Sequence, residues 1–278
     1  MALRDGSKHR WPAFIATTVG LLIVVGIFFR SRGQLPESAT KYWPLGHAAQ
    51  EAEHGFSLLP PVKQDAADFY IIALQYGSDK VVDHSYQDMY EKYLPKLRYD
   101  KIKLLEIGMG CDMSHGPGPS YHLWLEYLPN VELYFLENDA ACAEQWAHKT
   151  TGATVITGNQ ADPAVLAKLV QEHGNDFDII IDAGGRMMVQ QQTSLEHLWK
   201  AVKPGGMYFC EDLQTSYWPK YGGGETAVAE GRITMMQYIY LMIEDLTWGA
   251  RRIDFQDADK VMSIDCSREI CSIFKRKG

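Results

Sequence analysis

The chain has 278 residues, 46% of them apolar, which is enough for one α/β domain of ordinary size plus an appendage. Its formal net charge of −8 argues against a nucleic-acid groove, which requires a basic face. The five cysteines lack the spacing of a metal site. They are Cys111, Cys142, Cys210, Cys266 and Cys271. We expect free or core thiols, with one local disulfide between Cys266 and Cys271 left open.

The N-terminal part of the chain contains an uncharged apolar run. Residues 11–29 carry no charge and are bounded by Arg10 and Arg30. At about 1.5 Å per residue, this run is long enough to cross a hydrocarbon core of about 30 Å. No small-residue cleavage site is evident, so we expect a retained single-pass membrane anchor rather than a signal peptide. Basic residues flank both ends, so the orientation is not encoded. The absence of an Asn-x-Ser/Thr sequon slightly favours a cytosolic catalytic domain.

Four regions follow from the pattern along the chain. Residues 1–33 form the expected anchor, and the proline-interrupted residues 34–61 read as a linker. A helical pattern predicts a cap over residues 62–100, broken at Tyr76-Gly-Ser-Asp-Lys80. Residues 101–278 then alternate between apolar strands and helices. The sequence therefore predicts a Rossmann-like α/β domain with a parallel sheet and a C-terminal antiparallel hairpin.

The elements of this last region can be predicted in chain order. Strands are expected from Ile102 and over 131–136, 153–156, 177–182 and 207–210, with a hairpin over 261–265 and 270–275. Helices are expected near 120–127, 140–148, 163–173, 190–202 and 226–247, with a turn at 203–206. Asp162-Pro163 is typical of a helix start, because a capping side chain precedes a proline at the first helical position.

The first strand ends in Glu106-Ile-Gly108-Met-Gly110, where glycine lets the backbone approach a ligand. A dinucleotide-binding turn needs a third glycine, and that position is Met113. The pattern instead favours the Glu/Asp-x-Gly-x-Gly turn of S-adenosylmethionine enzymes, although an ordinary βα turn is the structural alternative. The second strand ends in Glu137, whose carboxylate can accept both hydroxyls of a ribose.

Acidic residues also end the later strands. Asp182, Glu211 and Asp212 should reach the same sheet edge, where ligands bind in open parallel sheets. They are candidate ligands for Mg²⁺, which prefers carboxylate oxygen. The alternative is that they cap the helices that follow.

An aromatic loop follows Asp212 and ends in Gly222-Gly223. Tyr217, Trp218 and Tyr221 lie within it, and rings at the mouth of a crevice are suited to stacking on a sugar or a flat substrate.

Four segments together resemble a known family. They are residues 211–223, residues 76–80 with His84, Tyr86 and Tyr90, residues 104–110, and Gly158-Asn159-Gln160 with Asp162. They are similar to bacterial metal-dependent sugar O-methyltransferases of the mycinamicin and rhamnosyl-tetracenomycin type, from about Asp68 to the C-terminus. The resemblance implies a class I methyltransferase fold and methyl transfer from S-adenosylmethionine to a hydroxyl, assisted by Mg²⁺. Asn159 stands where the family has Asp, although its amide can still serve an adenine edge. Asn159 and Gln160 are therefore predicted to bind the cofactor, together with Glu106, Gly108, Gly110, Glu137 and Asp182.

The chain departs from that family after the fourth strand. Where the family has Asp-Asp-Gly-Ser-His, this chain has Asp182-Ala183-Gly-Gly-Arg186, so Ala183 replaces a metal ligand and Arg186 the base. An arginine cannot accept a proton at neutral pH. Asp182 and Arg186 remain the catalytic candidates, and His115 and His122 are alternative bases more typical of structural residues.

Three hypotheses remain open from the sequence. The chain methylates without metal by positioning alone, or it holds Mg²⁺ through Asp182, Glu211 and Asp212. Otherwise it is a catalytically impaired, membrane-tethered S-adenosylmethionine-binding partner protein. The expected function is O-methylation of a small molecule or secondary metabolite. Whether the chain forms a homo-oligomer is not encoded.

Overall fold

The computed structural model describes residues 68–111, 113, 116–249 and 251–278. The predicted anchor over residues 11–29, the linker and His115 lie outside these ranges. Within them, no helix combines the length and apolar character that a membrane crossing requires. All of the described residues belong to one compact unit.

The described residues contain one seven-stranded sheet with the order β3-β2-β1-β4-β5-β7-β6. Its strands are β1 (Ile102–Ile107), β2 (Val131–Glu137), β3 (Ala153–Thr157), β4 (Phe177–Asp182), β5 (Val202–Cys210), β6 (Val261–Ser267) and β7 (Ile270–Lys275). The first five strands pair in parallel, whereas β7 pairs antiparallel with both β5 and β6. The predicted parallel sheet and its closing hairpin are confirmed.

Nine α-helices are described around this sheet. They are α1 (Phe69–Gln75), α2 (Asp79–Val82), α3 (Gln87–Tyr93), α4 (Pro119–Tyr127), α5 (Ala140–Trp146), α6 (Pro163–His173), α7 (Met188–Leu198), α8 (Gly224–Ala229) and α9 (Met235–Trp248). Short 3₁₀ turns lie at Pro95–Leu97, Ala147–Lys149, Trp199–Ala201, Leu213–Tyr217, Pro219–Tyr221 and Ala258–Lys260. Helix α6 starts as predicted, with the Asp162 carboxylate accepting a hydrogen bond from the Ala164 amide at 2.8 Å.

Two hydrophobic cores cover the two faces of the sheet. One face packs against α6, α7 and α9 through residues such as Leu166, Leu195 and Ile239. The opposite face packs against α4 and the cap helices α1 and α3, with Trp124 and Tyr90 fully buried. The cap is therefore part of the second core. Strand β4 lies at the centre and is buried on both faces along its whole length.

Two predicted elements are wrong in detail. The expected turn at 203–206 lies inside β5, where the pairing with β4 shifts register and Gly205 adopts a φ of 81°. Here β4 advances by two residues, from Phe177 to Ile179, while β5 advances by five, from Val202 to Met207, so the irregularity keeps three extra residues within β5. The expected helix over 226–247 is two helices, α8 and α9. Thr234 and Gln237 form a reciprocal capping box at the start of α9. This cap begins a new helix, so the helical pattern over 226–247 is interrupted there.

The expectation of free or core thiols is wrong for four of the five cysteines, although the Cys266–Cys271 disulfide that was left open is present. Cys111 is bonded to Cys142 and Cys266 to Cys271, while Cys210 is free and buried. The first pair joins the loop after β1 to the start of α5. These segments are distant in sequence, but they follow neighbouring parallel strands and so emerge side by side. The second pair joins directly opposite residues of the hairpin.

Candidate functional site

A cavity of about 290 Å³ opens at the carboxyl ends of the parallel strands. Its wall includes six of the predicted cofactor residues, namely Glu106, Gly108, Gly110, Glu137, Asn159 and Gln160, and it also includes Arg186. The side chains predicted from separate strand ends are therefore brought together at one edge, as expected for an open parallel sheet.

The glycine loop after β1 is shaped by its neighbouring strand. Gly108 has a φ of 90°, and a β-carbon there would lie 2.8 Å from the Ala183 carbonyl oxygen and from the Gly184 α-carbon. The close approach that requires glycine is thus to the loop after β4, whereas the sequence pattern predicted an approach to the ligand. Gly110 also has a positive φ, of 86°, but a β-carbon would meet ordinary contacts there.

Glu137 is held rigidly at the end of β2. One carboxylate oxygen accepts a hydrogen bond from the Met109 amide and the other from the Asp139 amide, each at 2.9 Å. The first bond ties the glycine loop to β2. Because each carboxylate oxygen has a second lone pair, both oxygens still have an acceptor site for a ligand hydroxyl.

Asn159 and Gln160, at the end of β3, have their side chains engaged with the protein. The Asn159 side-chain oxygen accepts from the Ala161 amide at 2.9 Å. The Gln160 amide group donates to Asp182 at 3.0 Å and to Ser194 at 2.9 Å, and its oxygen accepts from the Gly185 amide. Gln160 therefore braces the loop after β4, which forms part of the cavity wall.

Asp182 lies behind the cavity wall, not in it. Its carboxylate is 1% exposed and accepts hydrogen bonds from Gln160 and from the Tyr208 hydroxyl, the latter at 3.0 Å. Burial raises its pKa to about 7, although these hydrogen bonds oppose the shift. This placement does not support the predicted cofactor, metal and catalytic roles of Asp182.

The alternation of side chains along the strands explains this placement. Asp182 shares the sheet face of Ile180 and Tyr208, whereas Glu106 and Glu211 follow the register of the opposite, cap-covered face. One residue of offset along a strand reverses the face. Because β4 is buried on both faces, its sequence carries no alternation that would reveal this.

Glu211 and Glu106 flank a buried lysine. The Lys80 ammonium lies 3.0 Å from Glu106 and at 2.9 and 2.7 Å from the two oxygens of Glu211. Trp124 also donates to Glu106 at 2.8 Å, and the Tyr90 hydroxyl donates to Glu211. Burial raises the pKa of Glu211 to about 7. Burial lowers the pKa of Lys80, but the two glutamates outweigh this effect and keep that pKa well above its usual range.

Asp212 forms an ion pair with Arg186, whose Nε atom donates to one carboxylate oxygen at 2.7 Å. The other oxygen accepts from the Tyr86 hydroxyl at 3.2 Å and from Gln214 at 3.1 Å. Burial raises the pKa of Asp212, but the Arg186 charge outweighs it, so the pKa lies below its ordinary value.

The predicted magnesium ligands are therefore not assembled. Among the described residues, no three His, Cys, Asp or Glu side chains are grouped so that they could hold a metal ion. Asp182 lies on the other face, Glu211 is bonded to Lys80, and Asp212 is bonded to Arg186. Position 183, on the face of Glu211, carries no ligating group. The side chains that the structure describes at this edge of the sheet do not fit a divalent cation in this arrangement.

The three aromatic residues of the predicted substrate loop lie outside the lining of the cavity. Trp218 and Tyr221 stack with ring centroids 6.0 Å apart, and the Lys220 ammonium lies over both rings. Tyr217 is 67% exposed and lines a separate apolar groove next to α8 and α9. The structure therefore does not bring these rings to the predicted cofactor residues.

The sequence pattern gave no role at the site to Lys80, His84 or Glu269. Lys80 contributed only to the cap motif, and Glu269 lies in the hairpin turn, 185 residues from its partner His84. His122, which was predicted as an alternative base, stacks on Tyr76, with the two ring centroids 5.2 Å apart. Contacts between residues so far apart leave no local pattern that could have revealed them.

Comparison with known proteins gives several relatives, and no family model matches the chain. Over 179 residues the chain is 34% identical to the 8-demethyl-8-(2-methoxy-alpha-L-rhamnosyl)-tetracenomycin-C 3'-O-methyltransferase of Streptomyces olivaceus. This match covers 63% of the chain and 44% of the relative. The chain is also 32% identical to the mycinamicin VI 2''-O-methyltransferase of Micromonospora griseorubida, over 50% of the chain and 34% of the relative. The matches span less than half the length of these curated relatives.

Solved structures show the same fold. The MycE methyltransferase in complex with Mg, SAH and mycinamycin VI matches with a TM-score of 0.63 and 23% identity. That match covers 77% of this chain and 56% of the other. The chain therefore has the class I methyltransferase fold, and in sequence it resembles the sugar O-methyltransferases that act on tetracenomycin and mycinamicin compounds.

Proposed function

We propose that this protein transfers the methyl group of S-adenosylmethionine to a hydroxyl of a small molecule. A sugar hydroxyl of a glycosylated secondary metabolite is the proposed acceptor class. The observation that carries the proposal is the cavity at the carboxyl edge, where the glycine loop, Glu137 and Asn159 meet. Ligands bind at this edge in open α/β sheets.

The relatives support the choice of acceptor. The five curated relatives that match the chain are all named as O-methyltransferases, and three of the names specify a glycosylated compound, with a rhamnosyl or an olivosyl group. Their names give no support to a non-catalytic binding protein. Because the chain spans less than half of their length, its activity and its acceptor are proposals and are not taken over from the relatives.

In the proposed reaction, Glu137 holds the ribose hydroxyls of the cofactor. Its carboxylate is already fixed by two backbone amides, so little ordering is needed on binding. The acceptor oxygen forms a bond to the methyl carbon as the carbon–sulfur bond breaks. The positive sulfonium becomes a neutral thioether, and the hydroxyl proton passes to solvent water. Alignment of the two reactants supplies much of the rate enhancement in such a transfer.

Binding and transfer can be tested separately. A calorimetric titration of the full chain with S-adenosylhomocysteine should show one binding site per chain. Transfer is then measured with methyl-labelled S-adenosylmethionine and two acceptors, 8-demethyl-8-alpha-L-rhamnosyl tetracenomycin C and mycinamicin VI. We expect label on a sugar hydroxyl of at least one acceptor. Failure to bind S-adenosylhomocysteine would refute the proposal, and binding without transfer to either acceptor would favour the non-catalytic alternative.

A further inference from the structure

Every carboxylate that the cap-covered face offers at the end of β1 and after β5 is already paired with a protein cation. Lys80 lies between Glu106 and Glu211, with all three side chains at most 5% exposed. Arg186 is bonded to Asp212 through Nε at 2.7 Å. Lysine and arginine thus take up the acidic groups that would otherwise be available to a cation.

The Asp212–Arg186 pair is supported from behind. His84 lies between two carboxylates, with Nε2 3.6 Å from Asp212 and Nδ1 2.8 Å from Glu269. The His84 ring stacks on Tyr86 at a centroid distance of 4.6 Å, and the Tyr86 hydroxyl also contacts Asp212. These contacts fix the Asp212 carboxylate, and through it they fix Arg186 in the cavity wall.

A divalent cation would have to displace these partners. Mg²⁺ needs near-ideal octahedral geometry and gives up its water reluctantly. Drawing Glu211 away from Lys80 would leave a buried ammonium short of a partner, and breaking a buried ion pair in this way is strongly destabilising. Arginine, by contrast, keeps its charge at any pH at which proteins are folded.

We propose that this site works without a divalent cation, and that Arg186, held by Asp212, supplies its fixed positive charge. The proposal rests on the proposed methyl transfer, in which a cation beside the cavity stabilises negative charge as the acceptor oxygen loses its proton. Asp212, His84 and Glu269 are positioning residues in this arrangement.

The test measures metal binding directly, with Mn²⁺ as a probe for Mg²⁺. The full chain, saturated with S-adenosylhomocysteine, is titrated with Mn²⁺, and free Mn²⁺ is followed by its paramagnetic resonance signal. We expect no saturable binding below about 1 mM, because the part of the chain that the structure describes offers no group of three ligating side chains. We also expect the affinity for S-adenosylhomocysteine to be the same in EDTA and in excess Mg²⁺.

A double variant, Ala183→Asp with Arg186→His, provides the comparison. It adds a carboxylate on the face of Glu211 and removes the guanidinium from Asp212, so Mn²⁺ should bind at least roughly tenfold more tightly than to the parent. Binding of S-adenosylhomocysteine verifies that the variant is folded.

Two results would overturn the inference. One is tight, saturable Mn²⁺ binding by the parent chain that is lost in Asp212→Asn. The other is a folded double variant that binds Mn²⁺ no better than the parent, since Arg186 would then not be what occupies Asp212. If the parent chain does not bind S-adenosylhomocysteine, that result counts against the proposed function and not against this inference.

Discussion

Gly108 combines a left-handed backbone with a close backbone contact. For Gly108→Ala we expect a loss of about 1–2 kcal/mol from the positive φ, plus a further loss from the contact with Ala183 and Gly184. Gly77 is the matched control, because its φ is 65° but a β-carbon there meets nothing within 4 Å. Urea unfolding of both variants measures the difference. Equal destabilisation would show that the contact has no energetic effect.

Glu137 is the residue on which cofactor affinity should depend most directly. Glu137→Ala removes a charged acceptor, and a hydrogen bond to a charged group contributes about 1.5–3 kcal/mol. We therefore expect the affinity for S-adenosylhomocysteine to fall by more than roughly tenfold in calorimetry. Glu132→Ala, an exposed glutamate on the same strand, should leave it unchanged. If Glu137→Ala binds S-adenosylhomocysteine as tightly as the parent, Glu137 does not bind the ribose hydroxyls.

Asp182 should make stability depend on pH. In the unfolded chain it ionises near pH 4, whereas burial raises its pKa to about 7 in the folded protein. Between these values the folded state binds the extra proton, so stability falls as pH rises through this window. Asp182→Asn stays neutral, and it should reduce the loss of unfolding free energy between about pH 5 and pH 8.

The comparison for this prediction is Asp83→Asn, which changes an exposed aspartate. That variant should keep the pH dependence of the parent. A residual slope is expected in Asp182→Asn, because the pKa of Glu211 is also raised to about 7 by burial. Identical slopes in the parent and Asp182→Asn would show that Asp182 is ionised in the folded protein throughout this range.

At the scale of elements, the Cys111–Cys142 disulfide joins the glycine loop after β1 to the start of α5, next to the proposed cofactor site. The glycine loop provides the Met109 amide, and the loop before α5 follows Glu137. Without the cross-link, binding must order a freer loop, and ordering each such segment opposes association. We expect Cys111→Ser with Cys142→Ser to weaken S-adenosylhomocysteine binding by roughly tenfold.

The second disulfide provides the control for this prediction. Cys266→Ser with Cys271→Ser breaks a cross-link in the β6–β7 hairpin, and neither cysteine lines the cavity. Its affinity for S-adenosylhomocysteine should equal that of the parent. If both double variants bind as the parent does, the first disulfide has no role in cofactor affinity.

The elements differ in how well the sequence predicts them. The strand ends at Gly108 and Glu137 follow local patterns, because an apolar run ends directly in the functional residue. The Thr234-x-x-Gln237 capping box is a sequence signal for the start of α9, and so for the break between α8 and α9. The sequence did not reveal on which face of the sheet Asp182 lies, since a strand buried on both sides has no alternation of polar and apolar residues. Lys80 and Glu211 are 131 residues apart, so their pairing depends on the fold as a whole.

At the scale of the molecule, the membrane prediction remains to be tested. We propose single-pass attachment through residues 11–29, with the domain of residues 101–278 on the cytosolic side, because the sequence contains no Asn-x-Ser/Thr sequon. Deletion of residues 1–33 should move the protein to the soluble fraction on centrifugation. The residues that line the cavity all lie beyond position 78, so affinity for S-adenosylhomocysteine should be retained. A truncated chain that still sediments with membranes would show that another surface attaches it.

The buried Lys80 has a consequence for how the molecule moves. If the cap swung away from the sheet, the Lys80 ammonium would leave Glu106 and Glu211 unpaired, at a cost of roughly 3–5 kcal/mol. An open state that far above the closed one is populated below about 1% of the time. The cap therefore behaves as a fixed wall and not as a lid.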